Sequence, residues 1–148
     1  MSTTITVCET CKRTNWNAEI DNKTDGEVLA DLIESISDKV PNITIRRHAC
    51  LMGCDFACNV AIQSENKLNY VLGNFSPNIE SAQGIIEYAK LHDASEKGQV
   101  PFRDWPQEIK GHFRARLRIF LHARQTDTQL SSNLERSRHR QYQRTWRM

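Results

Sequence analysis

The chain reads as an α/β protein: a mixed sheet of about four strands with helices packed on it, followed by a basic C-terminal extension. Three observations predict this. A β-branched run, Ile5-Thr6-Val7, is followed by a capped amphipathic stretch and then by a second alternating run at Ile43 and Ile45, giving strand, helix, strand. Two further apolar runs flank a short polar spacer and read as a hairpin. A second amphipathic stretch then follows Ser76-Pro77.

Taken in order, Ile5-Thr6-Val7 is the first strand and ends at Cys8, with Cys11 in the loop beyond it. The polar stretch to Lys23 has no period and reads as loop. Thr24 and Glu27 form a capping box, in which hydroxyl and carboxylate satisfy exposed N–H groups reciprocally. Behind it Val28, Leu29, Leu32, Ile33 and Ile36 recur at helical spacing, and the helix stops before Pro41. Ile43 and Ile45 begin a second strand that runs into the Cys50 loop. A strand, a helix and a strand place the two strands parallel, with their C-terminal ends on one edge. Cys8 and Cys50 are therefore expected side by side, at the edge where ligands tend to bind in such sheets. Residues 59–63 and 68–72 form the hairpin around Ser64-Glu65-Asn66-Lys67. Ser76 is the expected cap of the second helix and Pro77 its first residue, with Ile79, Ala82, Ile85, Ile86 and Ala89 as its apolar stripe. Residues 93–106 are a loop whose Phe102 and Trp105 pack over the body, shielding of a bound group being the other reading. Pro106 is read as opening a last helix with Ile109, Phe113, Leu117 and Phe120 on one face.

A length of 148 residues suits one domain with a real core, so small size does not account for the cysteines. The division expected is a domain over residues 1–121 and an Arg-rich tail over 122–148, solvated, disordered or helical. Residues 1–100 hold nine Lys/Arg and fourteen Asp/Glu, and residues 101–148 hold eleven and four, so an acidic body carries a basic end. Arg124, Arg136, Arg138, Arg140, Arg144 and Arg147 are interleaved with Tyr142 and Trp146, a composition able to pair phosphates and stack on bases. A solvated terminal segment is the commoner meaning of such a tail. No charged segment followed by an apolar stretch of signal length is visible, and the apolar runs fall far short of a membrane span. The expectation is a protein of a reducing, cytoplasmic compartment with no membrane partner.

All five cysteines lie in two clusters: Cys8 and Cys11, and Cys50, Cys54 and Cys58. In a reducing compartment this pattern points to soft-metal or redox chemistry rather than to disulfides. Thiolates stabilise ferric and mixed-valence iron, and a 2Fe–2S cluster takes four of them. Gly53 lets the Cys50–Cys54 segment curl. Zinc needs four of the five thiols, or three with His48. A dithiol oxidoreductase needs only Cys8 and Cys11, activated by each other and by Lys12 and Arg13. Buried thiols acting as small apolar residues are the remaining reading. His48 is read as hydrogen-bonded, with ligation the alternative, and His92, His112, His122 and His139 as surface groups. No phosphate-binding glycine loop, local triad motif or paired-carboxylate setting is present.

The segment Cys50-Leu51-Met52-Gly53-Cys54, then Val60-Ala61-Ile62, then Tyr70-Val71-Leu72-Gly73 resembles the second half of a thioredoxin-like 2Fe–2S ferredoxin. A nearer resemblance is to the DUF1636 family of predicted metal-binding proteins with that fold. It is carried by Val7-Cys8-Glu9-Thr10-Cys11, by Cys50 to Cys58, by Tyr70 to Phe75 and by Gly98-Gln99-Val100-Pro101-Phe102-Arg103. The resemblance spans residues 4–118 and excludes the tail. It implies a metal or cluster site, most simply a 2Fe–2S centre on Cys8, Cys11, Cys50 and Cys54, with Cys58 as a spare ligand or neighbouring thiol. The first cysteine pair of such ferredoxins is more widely spaced than Cys8 and Cys11, and they lack a counterpart of Cys58. Zn²⁺ on the same thiolates is the alternative cofactor. The function implied is electron transfer to a protein redox partner, or redox sensing, rather than conversion of a substrate.

Overall fold

The computed structural model describes residues 2–118. The basic tail, with the nucleic-acid reading attached to it, lies outside the described residues. Strand β1, Thr3–Cys8, leads through a loop to helix α1, Asp25–Ser37, and back to strand β2, Ile43–His48. Strands β3, Val60–Gln63, and β4, Asn69–Leu72, form the hairpin. Helix α2, Ile79–Ala94, follows, and strand β5, Phe113–Leu117, completes a sheet of order β2-β1-β3-β4-β5. Strands β1 and β2 are parallel, with Cys8 opposite His48, and the other pairings are antiparallel. This is the mixed α/β arrangement that the sequence and the resemblance predict, with a fifth strand added.

Alternation decides where the core sits. Thr3 reaches His92 on α2, while Arg47 reaches Asp31 and Glu34 on α1. Both residues belong to the odd-numbered face of β1 and β2, so both helices lie on that face. Ile5, Val7, Val60, Ile62 and Leu72 are fully buried beneath them, together with Leu29 and Ile33 of α1 and Ile85 and Ile86 of α2. The capping box at α1 is present in full: Glu27 N–H bonds to Thr24 Oγ1 at 3.1 Å, and Thr24 N–H to Glu27 Oε2 at 2.7 Å.

Three readings are corrected. The segment after Pro106 is not a helix. A 3-10 turn, Gln107–Ile109, is followed by Gly111, whose φ of 86° breaks any right-handed helix, and Phe113–Leu117 then pairs with the open edge of β4. The cap of α2 is Asn78, not Ser76. Its Oδ1 accepts from Ser81 N–H at 2.9 Å, so Pro77 precedes the helix instead of opening it, and Ile79 is largely exposed.

The third concerns the histidines. His92 is fully buried, its Nε2 2.7 Å from Leu68 O and its Nδ1 3.1 Å from Thr3 Oγ1. His112 bonds Gly73 O at 2.9 Å and stacks on Phe75. Lys67, also buried, caps the end of α2 by donating to His92 O and Asp93 O.

Burial, aided by the nearby Lys67 charge, holds the His92 pKa below its ordinary value, although Leu68 O and Asp93 oppose this. The folded chain then binds fewer protons than the unfolded chain. Stability is present in full above the unfolded histidine value of about 6.5 and declines as pH falls below it toward the folded value. Urea midpoints at mildly acidic and neutral pH are expected to show this loss, and His92→Asn is expected to shrink it. An unchanged slope in the variant would assign the acid loss elsewhere.

Candidate metal centre

Parallel pairing brings the C-terminal ends of β1 and β2 together, and antiparallel pairing adds the starts of β3 and β5 and the end of β4 to the same edge. All five cysteines gather there. Cys8 is the last residue of β1 and is 2% exposed, and Cys11, in the next loop, is 3% exposed. The two thiols lie close enough to influence each other's acidity. Thr10 Oγ1 lies 3.8 Å from Cys8 Sγ and donates to Ala49 O, which ties this loop to the one carrying Cys50.

The first turn of α1 closes over the pair. Gly26 N–H donates to Cys11 O at 3.0 Å, and Thr24 Oγ1 donates to Glu9 O. A Cβ on Gly26 would land on the Cys8 carbonyl oxygen, with the carbonyl carbons of Cys8 and Glu9 3.0 Å away. A glycine at the second helical position is what allows this approach.

Cys50 is half-buried and Cys54 exposed, the latter at the start of a 3-10 turn, Cys54–Phe56. Met52 N–H donates to Cys50 Sγ at 3.3 Å. Cys54 and Asp55 share a cleft of about 260 Å³ with Lys12, Arg13 and Thr14, the residues that follow Cys11. The cysteine loop and the Cys11 loop thus face each other directly. Arg114 of β5 lies over the Phe56 ring at 4.3 Å and holds the far side of the turn. Cys58 is fully buried, its backbone paired with that of Phe75.

Burial acts on every one of the enclosed thiols, and hydrogen bonds then separate them. For Cys8 burial raises the pKa, but bonds from Leu51 N–H, the Cys11 thiol and Thr10 outweigh it and leave the thiol below its ordinary value. Cys11 is pushed up to about 11, burial dominating over donors from Asn59. Cys58 is pushed up to about 12 by burial, then by Cys11 and Asp25. A neutral, enclosed Cys58 suits the neighbouring-thiol reading, its sulfur lying among core residues.

His48 holds backbone and does not face a sulfur: its Nδ1 lies 3.3 Å from Cys50 N and 3.0 Å from Cys50 O. Trp105 packs against Tyr88 and Phe113, with Nε1 donating to Val100 O at 2.9 Å, which is the packing role. Phe102 is 64% exposed.

The donor set fits a soft metal in kind: four thiols at one edge, with N–H groups of Asn59 and Met52 directed at the sulfurs of Cys11 and Cys50. Among the described residues, no three His, Cys, Asp or Glu side chains already converge at ligand geometry. The buried pair is preformed, whereas Cys50 and Cys54 stand at the rim.

Asn59 is the residue that the sequence reading passed over, as the first position of a strand. Its Nδ2 donates to Cys11 Sγ at 3.4 Å and to Gly53 O at 2.6 Å, and its carbonyl accepts Cys8 N–H at 3.1 Å. The available signal was its place directly after Cys58.

Fold and site together define an α/β protein with a cysteine centre at the C-terminal edge of its parallel strands. The DUF1636 family, described as "Protein of unknown function (DUF1636)", matches residues 5–118, and the chain belongs to that family. Among solved structures it is similar to a thioredoxin-like [2Fe-2S] ferredoxin from Aquifex aeolicus, at 13% identity and a TM-score of 0.48, over 78% of this chain and 92% of that one. No curated protein matches the chain. No helix among the described residues is long and apolar enough to cross a membrane.

Proposed function

We propose that this chain is a thiolate metal-binding protein that carries a 2Fe–2S cluster on Cys8, Cys11, Cys50 and Cys54 and works in electron transfer or redox sensing. The observation that carries this is the meeting of two cysteine pairs, distant in sequence, at one sheet edge, with N–H groups directed at the sulfurs of Cys11 and Cys50. Bound there, the cluster would supply one-electron chemistry. The chain's own contribution is threefold. Cys8 and Cys11 offer a buried pair, with the Cys8 proton already loosened by hydrogen bonds. The loop through Gly53 presents Cys50 and Cys54 at the rim, facing the loop that carries Cys11. The amides that face sulfur stabilise charge there without bringing in a cation. Met52, 88% exposed, and Phe56, 45% exposed, stand beside the rim cysteines as an apolar edge for a protein redox partner.

Elemental analysis and a visible spectrum on protein purified without air test this. Iron and acid-labile sulfide are expected at about two each per chain, with colour that bleaches on reduction. Stoichiometric zinc without colour would replace the cluster with a zinc-thiolate function. A second reading has its own support, two buried neighbouring thiols, Cys8 and Cys11, with Cys8 the more acidic. Protein that holds no metal but reduces a disulfide substrate, with activity lost in Cys8→Ser and kept in Cys50→Ser, would make it a thiol oxidoreductase.

A further inference from the structure

A carboxamide is expensive to bury unless its groups are bonded, and Asn59 is only 2% exposed. Its Nδ2 carries two hydrogens and has two partners from different parts of the chain, Cys11 Sγ at 3.4 Å and Gly53 O at 2.6 Å. The slot that holds the side chain has glycine on both sides. A Cβ at Gly53 would stand 2.6 Å from Asn59 Oδ1, and one at Gly73 2.7 Å from the same atom. Two glycines that leave room for one amide, and an amide that divides its donors between a sulfur and the cysteine loop, make a fitted lock.

We propose that Asn59 is a positioning residue for the cysteine centre: its carboxamide fastens the loop carrying Cys50 and Cys54 to the sulfur of Cys11. One side chain thereby fixes how far the rim cysteines stand from the buried pair. Its significance for a cluster rests on the function proposed above, but the lock exists in the metal-free chain and is testable there.

The first readout is alkylation of metal-free protein by iodoacetamide at one pH, each cysteine followed by peptide mass spectrometry. Exposed Cys54 is the internal reference. Release of the Gly53 loop uncovers the Cys11 sulfur, and this is expected to raise Cys11 labelling relative to Cys54 about tenfold in Asn59→Ala and Asn59→Leu even though the sulfur loses an N–H donor. Gly53→Ala keeps the amide but fills its slot, and is expected to do the same, which decides the matter if the Asn59 variants do not fold. Fully buried Cys58 reports global opening. Labelling of Cys11 that stays at the wild-type ratio, or that rises only together with Cys58, would overturn the positioning role.

In iron-loaded protein, removing N–H donors from a ligand sulfur destabilises the more negative reduced state. Asn59→Ala is expected to lower the midpoint potential and shift the visible bands, and unchanged values would also count against the proposal. Wild-type protein that binds no metal would refute the cluster reading while the alkylation ratios still judge Asn59.

Discussion

Gly26→Ala is expected to destabilise the fold by about 3 kcal/mol, the upper end of ordinary overpacking, and to lose the cysteine centre with it. The added Cβ would strike backbone, the carbonyl of Cys8, and not the tip of a flexible side chain that can turn away. Helix α1 must then slide or tilt off β1. It cannot do so freely, because Gly26 N–H is bonded to Cys11 O and Thr24 to Glu9 O. Movement of the helix start therefore drags the loop that holds Cys8 and Cys11. An alanine in mid-helix is otherwise favourable by about 1 kcal/mol over glycine, so a variant as stable as wild type would show that the close approach is unnecessary. Urea unfolding reports the change as a shifted midpoint at constant slope.

The second large effect separates two buried thiols. Cys11→Ser is expected to lower retained metal at least about tenfold, the smallest loss known for perturbing even an outer partner of a metal site. Cys58→Ala is expected to keep the full metal content and to lose only stability, about 1 kcal/mol for a small cavity. Both sulfurs are enclosed and both are raised by burial. The difference lies in what faces them. Cys11 Sγ accepts an N–H from the Asn59 side chain, whereas Cys58 is fully buried with its backbone paired to Phe75. Metal analysis of the two purified variants, beside circular dichroism to establish folding, decides between them. Retention in Cys11→Ser and loss in Cys58→Ala would exchange their roles.

What made the site readable in the sequence was local. Thr24 and Glu27 announce a helix start, the apolar spacing behind them fixes its face, and the handedness of a strand–helix–strand unit then carries Cys50 to Cys8 without any knowledge of distant contacts. What stayed hidden was non-local. Phe113 and Leu117 are four apart, which suits a helix, and only the unpaired edge of β4 makes them a strand. Asn59 looks like any polar residue at a strand start; its meaning comes from Gly53, Gly73 and Cys11, which the chain brings around it after folding. His92 was less hidden: it continues the stripe of Ile85 and Ala89 at helical spacing, which marks it as inward-facing. A titratable side chain on an apolar stripe is easily assigned to the surface by its type when its position says otherwise.

For the metal function proposed above, the parallel pairing of β1 and β2 also changes what kind of chelator the chain would be. Unfolded, Cys8 with Cys11 and Cys50 with Cys54 are two separate bidentate arms, each a weak competitor for a soft ion. Cys11 and Cys50, the nearest members of the two arms, are 39 positions apart. Closing a free loop of that length costs about 3 kcal/mol in entropy beyond a constant term. The sheet meets that cost when it folds, before any ligand arrives. The second arm then acts at an effective concentration set by the loop through Gly53 rather than by the length of the chain. Affinity for the metal becomes a reporter of whether the β1–α1–β2 unit is intact, and mild denaturant should release the ion along with that unit and not thiol by thiol.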